Sequence, residues 1–126
     1  MAMLVLTHKG LTLKRIPLNQ PELRIGRKTD SDLFVDDMLA SQNHATVERR
    51  ENSDAPGGAD FFIRDLGSTN HTYVNGSPVD LKKLVHNDVI VIGKHTFKFI
   101  DEAIDPGDKT SKLKKSWIPG VYYTED

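Results

Sequence analysis

Apolar and polar residues alternate with a period of two along this chain, in short stretches separated by Gly, Pro, Asn and Asp. The stretches are 4–7, 11–16, 22–25, 33–35, 45–49, 61–64, 72–74, 88–92 and 96–100, and β-branched and aromatic residues recur in them. In the last, Phe97 and Phe99 alternate with Thr96 and Lys98, which predicts rings facing a core and Lys98 facing water. No segment sustains the period of a helix. Strands at this spacing, bounded by turn formers, predict an all-β fold: a sandwich of two antiparallel sheets.

The turn chemistry supports that reading. Asn75-Gly76 between two strands favours a type I′ turn, because both central residues take positive φ. Gly93-Lys94-His95 joins 88–92 to 96–100 and predicts that those strands pair. Residues 51–60 are dense in turn formers without an apolar pattern, which predicts an exposed hairpin loop between the 45–49 and 61–64 strands. From about residue 101 the character changes: Asp105-Pro106-Gly107-Asp108 breaks any strand, and a basic stretch leads to Trp117 and the Tyr122-Tyr123 pair. We divide the chain into a domain over 1–101 and a partly flexible C-terminal tail over 102–126, whose aromatics imply that it docks somewhere.

Composition narrows the function. A length of 126 residues suits one core and a short tail. A net charge of −1 argues against nucleic acid or an acidic membrane as the main partner, so any affinity for anions is local. The chain has no cysteine, hence no disulfide framework and no thiolate chemistry. No stretch approaches the roughly 20 apolar residues of a spanning helix, and an intracellular, cytoplasmic location is the expectation. His8, His71, His86 and His95 lack the spacing of zinc ligands, so neither a metal nor another cofactor is expected.

The candidate chemistry lies on three loops. Arg24-Ile25-Gly26-Arg27, Ser41-Gln42-Asn43-His44 and the run from Asp65 to Gly76 place one arginine, one serine and a Thr69-Asn70 pair between separate strands. Taken alone, each has an ordinary explanation: Arg27 as a solvated strand-end arginine, Ser41 and Thr69 as turn caps, Asn70 as an Asx-turn residue. Together they match what a phosphate monoester demands, a cation plus neutral donors converging from several directions. Arg27 supplies the cation and a planar fork of donors, the two hydroxyls and the amide the rest.

In order and spacing, Gly-Arg, Ser-x-x-His and Gly-Ser-Thr-Asn-x-Thr-x-Val-Asn-Gly resemble the forkhead-associated (FHA) domain, over roughly residues 3 to 101. The resemblance implies a non-catalytic recogniser of phosphothreonine-containing proteins or peptides, an adaptor downstream of a Ser/Thr kinase. Arg27 then pairs with the phosphate, Ser41 and Thr69 bond its oxygens, and Asn70 bonds the peptide backbone. Gly26 and His44 are architectural, His44 bracing the Ser41 loop, and Asn75 and Gly76 form the turn. Gln42 sits in the site where the family commonly has arginine, which leaves more of the work to Arg27, with help from Lys28. His71 stands where glycine is common and could touch a ligand. Leu39 lies in the loop that helps choose a side chain after the phosphothreonine, and suggests an apolar preference.

Two alternatives follow from the same residues. One is a phosphate-independent interaction scaffold on the same fold. The other is a hydrolase using Ser41, His44 and Asp65, which lacks a nucleophile elbow and any sign of an oxyanion hole. In the tail, Thr110, Ser111 and Thr124 are potential modification sites that could serve as self-ligands.

Overall fold

The structure, a computed structural model, describes residues 2–55 and 57–101. Eleven strands follow one another without a helix among the described residues: β1 Ala2–His8, β2 Leu11–Pro17, β3 Glu22–Gly26, β4 Leu33–Phe34, β5 Ala45–Glu51, β6 Ala59–Asp65, β7 Thr72–Val74, β8 Ser77–Val79, β9 Leu81–Lys83, β10 Val89–Ile92 and β11 His95–Asp101. Six form one sheet in the order β2-β1-β11-β10-β7-β8, and five form the other in the order β4-β3-β5-β6-β9. The expected sandwich is therefore present, with one addition. β4 runs parallel to β3, pairing Ile25 with Leu33, because the chain leaves β3 through a loop and returns along the edge in the same direction.

Alternation decides which residues fill the space between the sheets. In β11, Phe97 and Phe99 are each 1% exposed while Lys98 stands in solvent. Ile90 and Ile92 of β10, Leu4 of β1, Ile25 of β3 and Ile63 of β6 meet them in one apolar cluster. Each such side chain contributes about 1.5 to 3 kcal/mol by leaving water.

Local and tertiary forces set the strand limits differently. Asn75 and Gly76 have φ of 51° and 85°, the conformation a type I′ turn requires, and they pair β7 with β8. The expected 51–60 loop is shorter than the composition implies. β5 and β6 zip through two further rungs, Arg50 with Asp60 and Glu51 with the buried Ala59, and Asn52 Nδ2 donates to Asp60 Oδ2 at 2.8 Å. Asp88 precedes its strand rather than opening it. Its carboxylate is buried and accepts from Asn75 Nδ2, Val85 N–H and Lys82 Nζ, each at 2.9 Å. β8 and β9 are strands the pattern did not suggest. The residues assigned to the tail lie outside the described residues, Thr110, Ser111 and Thr124 among them.

The topology gathers chosen loops at one end. β3 and β6 both finish there, β5 and β7 start there, and the β10–β11 turn lies at the same end.

Candidate functional site

Loop 36–44 is the spine of that end. Asp37 pins it: Oδ1 accepts the Leu39 N–H at 2.9 Å, and Oδ2 accepts the Lys94 N–H of the β10–β11 turn at 2.7 Å. Those backbone donors, Leu39 first, hold the Asp37 carboxyl below the usual carboxylate range. Gly26 lets the loop lie directly on β3. A Cβ there would sit 2.0 Å from the Gln42 carbonyl oxygen, so no other residue fits. The close approach allows the Arg27 and Lys28 N–H groups to donate to the Ser41 and Gln42 carbonyls at 3.0 and 3.3 Å.

Three consecutive residues of the spine then each hold one candidate residue. The Leu39 carbonyl accepts from Asn70 Nδ2 at 3.0 Å, the Ala40 carbonyl from Arg27 Nε at 3.0 Å, and Ser41 Oγ from the Thr69 N–H at 3.1 Å. Arg27, Ser41, Thr69 and Asn70 thus converge, although they come from three loops. Among the described residues the Arg27 side chain bonds only through Nε, which leaves both terminal guanidinium nitrogens available. Ser41 Oγ is engaged as an acceptor and keeps its proton for another partner. The carboxamide of Asn70 works inward, holding the Leu39 carbonyl, a role sequence reasoning did not foresee.

His44 ties the loops together beneath this surface. It is fully buried, accepts the Ser41 N–H at Nδ1 at 2.9 Å, and its Nε2 lies 3.0 Å from the His71 carbonyl. The contacts assign the tautomer with the proton on Nε2, donating to His71. This geometry removes the hydrolase alternative. His44 faces the backbone of Ser41, not its hydroxyl, and Asp65 bonds elsewhere.

Asp65 organises the third loop. Its oxygens accept from the Gly67 and Ser68 N–H groups at 3.0 Å, from Thr72 Oγ1 at 2.8 Å and from Ser68 Oγ. Burial pushes its carboxyl up, but these donors outweigh burial and hold it below the usual range. Asp65, Ser68 and Thr72 were not singled out as loop builders. The signal was there in an aspartate followed two and three residues later by Gly and Ser, an Asx-turn pattern.

The peripheral candidates are placed less tightly. His71 has φ of 65° and an exposed ring edge-on to Tyr73 at 6.2 Å. Lys28 approaches Asp30 at 3.9 Å, with both side chains more than half exposed. Gln42 is exposed, and it is its carbonyl, not its side chain, that holds Lys28. Leu39 is 41% exposed, and beside it Met38 is 84% exposed. Among the described residues no group of three or more His, Cys, Asp or Glu could hold a metal ion, and no helix is long and apolar enough to cross a membrane.

Comparison with known proteins agrees with this geometry. The family model for the FHA domain matches residues 23–93. The glycogen accumulation regulator GarA of Mycolicibacterium smegmatis is 37% identical over 99 residues, which are 79% of this chain and 58% of that protein. An oxoglutarate dehydrogenase inhibitor of Corynebacterium diphtheriae is 37% identical over 87 residues, 69% of this chain and 56% of that protein. The chain thus spans little more than half the length of these relatives. Among solved structures, Mycobacterium tuberculosis EmbR in complex with a low affinity phosphopeptide superposes with a TM-score of 0.64 at 29% identity, covering 79% of this chain and 24% of EmbR.

Proposed function

Because this chain belongs to the FHA domain family, a family of phosphopeptide-binding modules, we propose that it captures phosphothreonine-containing proteins as an adaptor downstream of a Ser/Thr kinase. One observation carries the reading: Leu39, Ala40 and Ser41 fix Asn70, Arg27 and Thr69 side by side, with their outward donors unengaged. In this reading the terminal nitrogens of Arg27 pair with the phosphate, and the Ser41 and Thr69 hydroxyls donate to its oxygens. Asn70 uses its remaining groups on the peptide backbone. The donors are held in place before the ligand arrives, so little ordering cost is incurred on binding. Four charge-assisted bonds at about 3 kcal/mol each, less an association cost of about 4 kcal/mol, leave about 8 kcal/mol, roughly micromolar affinity.

A phosphothreonine peptide array tests this, followed by isothermal titration of the best binder and its unmodified form. The expected result is at least about a hundredfold weaker binding without phosphate, corresponding to two lost charge-assisted bonds. Equal affinity for the two forms would rule the mechanism out. A second reading, capture of a partner without phosphate, is favoured by the exposed Met38 and Leu39 beside the site. It predicts that Arg27→Ala leaves partner capture intact.

A further inference from the structure

Next to the phosphate constellation, on the outer face of the five-stranded sheet, lies a recess of about 190 Å³ that the proposed function leaves unused. It is built on the same loops: Asp30 and Ser31 follow Arg27, Asn43 follows Gln42, and Leu66 precedes Thr69. From β3 and β5 it takes Glu22, Arg24 and Thr46, which face outward, together with Ile25 and Ala45.

The charges of the recess do not balance. Arg24 is taken up by its own loop, its Nε reaching Asp32 at 3.3 Å and its Nη2 donating to the Asp30 carbonyl at 3.1 Å. Among the described residues, Asp30 has only the loose 3.9 Å approach of Lys28. Glu22 has no ion-pair partner among the described residues; across the ladder it meets Glu48, whose carboxylate is held by Arg64 and Arg50. The net character is negative, beside a site that presents the Arg27 guanidinium. At the recess wall, the buried Thr46, 4% exposed, has a hydroxyl oxygen without a hydrogen-bond partner. A buried acceptor in that state is costly unless a donor reaches it. Leu66, 43% exposed, offers an apolar wall along which an aliphatic stem can lie.

We propose that this recess receives a lysine or arginine side chain of the bound phosphopeptide, so that the domain reads a dianion and a cation at a fixed separation. The inference rests on the phosphothreonine reading above. The ammonium or guanidinium head meets the Glu22 and Asp30 carboxylates, with the Asn43, Ser31 and Thr46 oxygens as neutral acceptors. A bipolar surface of this kind fixes peptide direction and register, because a reversed peptide would bring like charges together.

The test is a substitution scan in which a phosphothreonine peptide that binds the full chain carries Ala, Lys or Glu in turn at each flanking position. We expect one register at which Lys strengthens binding by about two- to fivefold over Ala, as for a partly exposed ion pair, and at which Glu weakens it. The Glu22→Gln, Asp30→Asn double variant is expected to abolish that gain, with unchanged affinity for the Ala peptide and unchanged melting temperature. A scan without any lysine preference overturns the inference, as does a preference that survives in the double variant. A preference for Glu instead would mean that Arg24 captures an anion, and also overturns it. In these three outcomes the phosphate dependence stands. If the phosphorylated and unmodified parent peptides bind alike, the function reading itself fails, and the recess assignment with it.

Discussion

Replacing Gly26 by alanine isolates the close approach on which the candidate site depends. Gly26 does not have positive φ, so alanine tolerates its backbone conformation and the penalty is steric. The new Cβ would lie 2.0 Å from the Gln42 oxygen, against about 3.3 Å for an ordinary carbon–oxygen contact, so the loop must retreat by about 1.3 Å. Backbone atoms, unlike a side-chain tip, cannot rotate away. The retreat breaks the bonds from the Arg27 and Lys28 N–H groups to Ser41 and Gln42. Two such bonds at 0.5 to 1.5 kcal/mol each, with overpacking of 1 to 3 kcal/mol, give about 2 to 6 kcal/mol. For a domain of this size that lowers the melting temperature by roughly 10 °C or more. Ser41 moves with the loop, so phosphopeptide affinity falls as well, by at least about tenfold if one bond is lost. Gly67→Ala is the control: it has φ of 75° and open space around it, so it incurs only conformational strain of about 1 to 2 kcal/mol. Calorimetric melting and peptide titration of both variants check the reasoning. A Gly26→Ala protein melting within about 2 °C of the parent, with unchanged affinity, would refute it.

Three further outcomes are expected. Arg27→Ala should weaken phosphopeptide binding at least about a hundredfold while costing only about 1 kcal/mol of stability, that of the Ala40 bond; Arg27→Lys should recover only part of the loss because it lacks the planar fork, and full recovery on titration would contradict the assignment. Asp65 has a folded pKa below its unfolded value, so the unfolded chain takes up protons first as the medium is acidified. Its stabilising effect is complete above the unfolded value of about 4 and is lost as pH falls through the folded one; Asp65→Asn, which keeps an oxygen for the Gly67 and Ser68 N–H groups only by setting its NH2 against the Ser68 and Thr72 hydroxyls that donate to Oδ1, should cost about 1 to 3 kcal/mol at neutral pH and flatten the decline of melting temperature below about pH 4, whereas an unchanged acid profile would count against the network. Asn75→Gly keeps positive φ but removes the Nδ2 bond to Asp88 and the bond that Oδ1 accepts from the Val89 N–H at 2.9 Å, and should lose about 1 to 3 kcal/mol in urea denaturation; a midpoint equal to the parent's would show that the turn alone matters.

What the sequence determined by itself was whatever a few neighbouring residues decide. Period-two alternation in 96–100 told which faces of β11 Phe97 and Lys98 take, because successive side chains on a strand must point to opposite sides. Asn75-Gly76 named its turn because few residue pairs accept positive φ twice. The motif residues Arg27, Ser41, Thr69 and Asn70 were legible as a group because their order and spacing carry the family resemblance, and His44 as the brace beneath them for the same reason.

The tertiary structure decided what depends on pairing across the chain. β8, which contains Pro78, and β9, which reads Leu81-Lys82-Lys83, have little strand character of their own. They exist because β7 and β6 offer them a ladder. Of the four residues in the two rungs that lengthen β5 and β6, three are charged and one is the small Ala59, and no local pattern marks them. That Leu39, Ala40 and Ser41 would each hold one residue from a distant loop, and that Asp37 would reach the β10–β11 turn, follows from how the sheets bring their ends together. Each of those contacts joins one side chain to one backbone carbonyl or N–H group, and every residue carries such groups. The sequence therefore left no trace of which backbone group each side chain would meet until the fold had fixed where each loop returns.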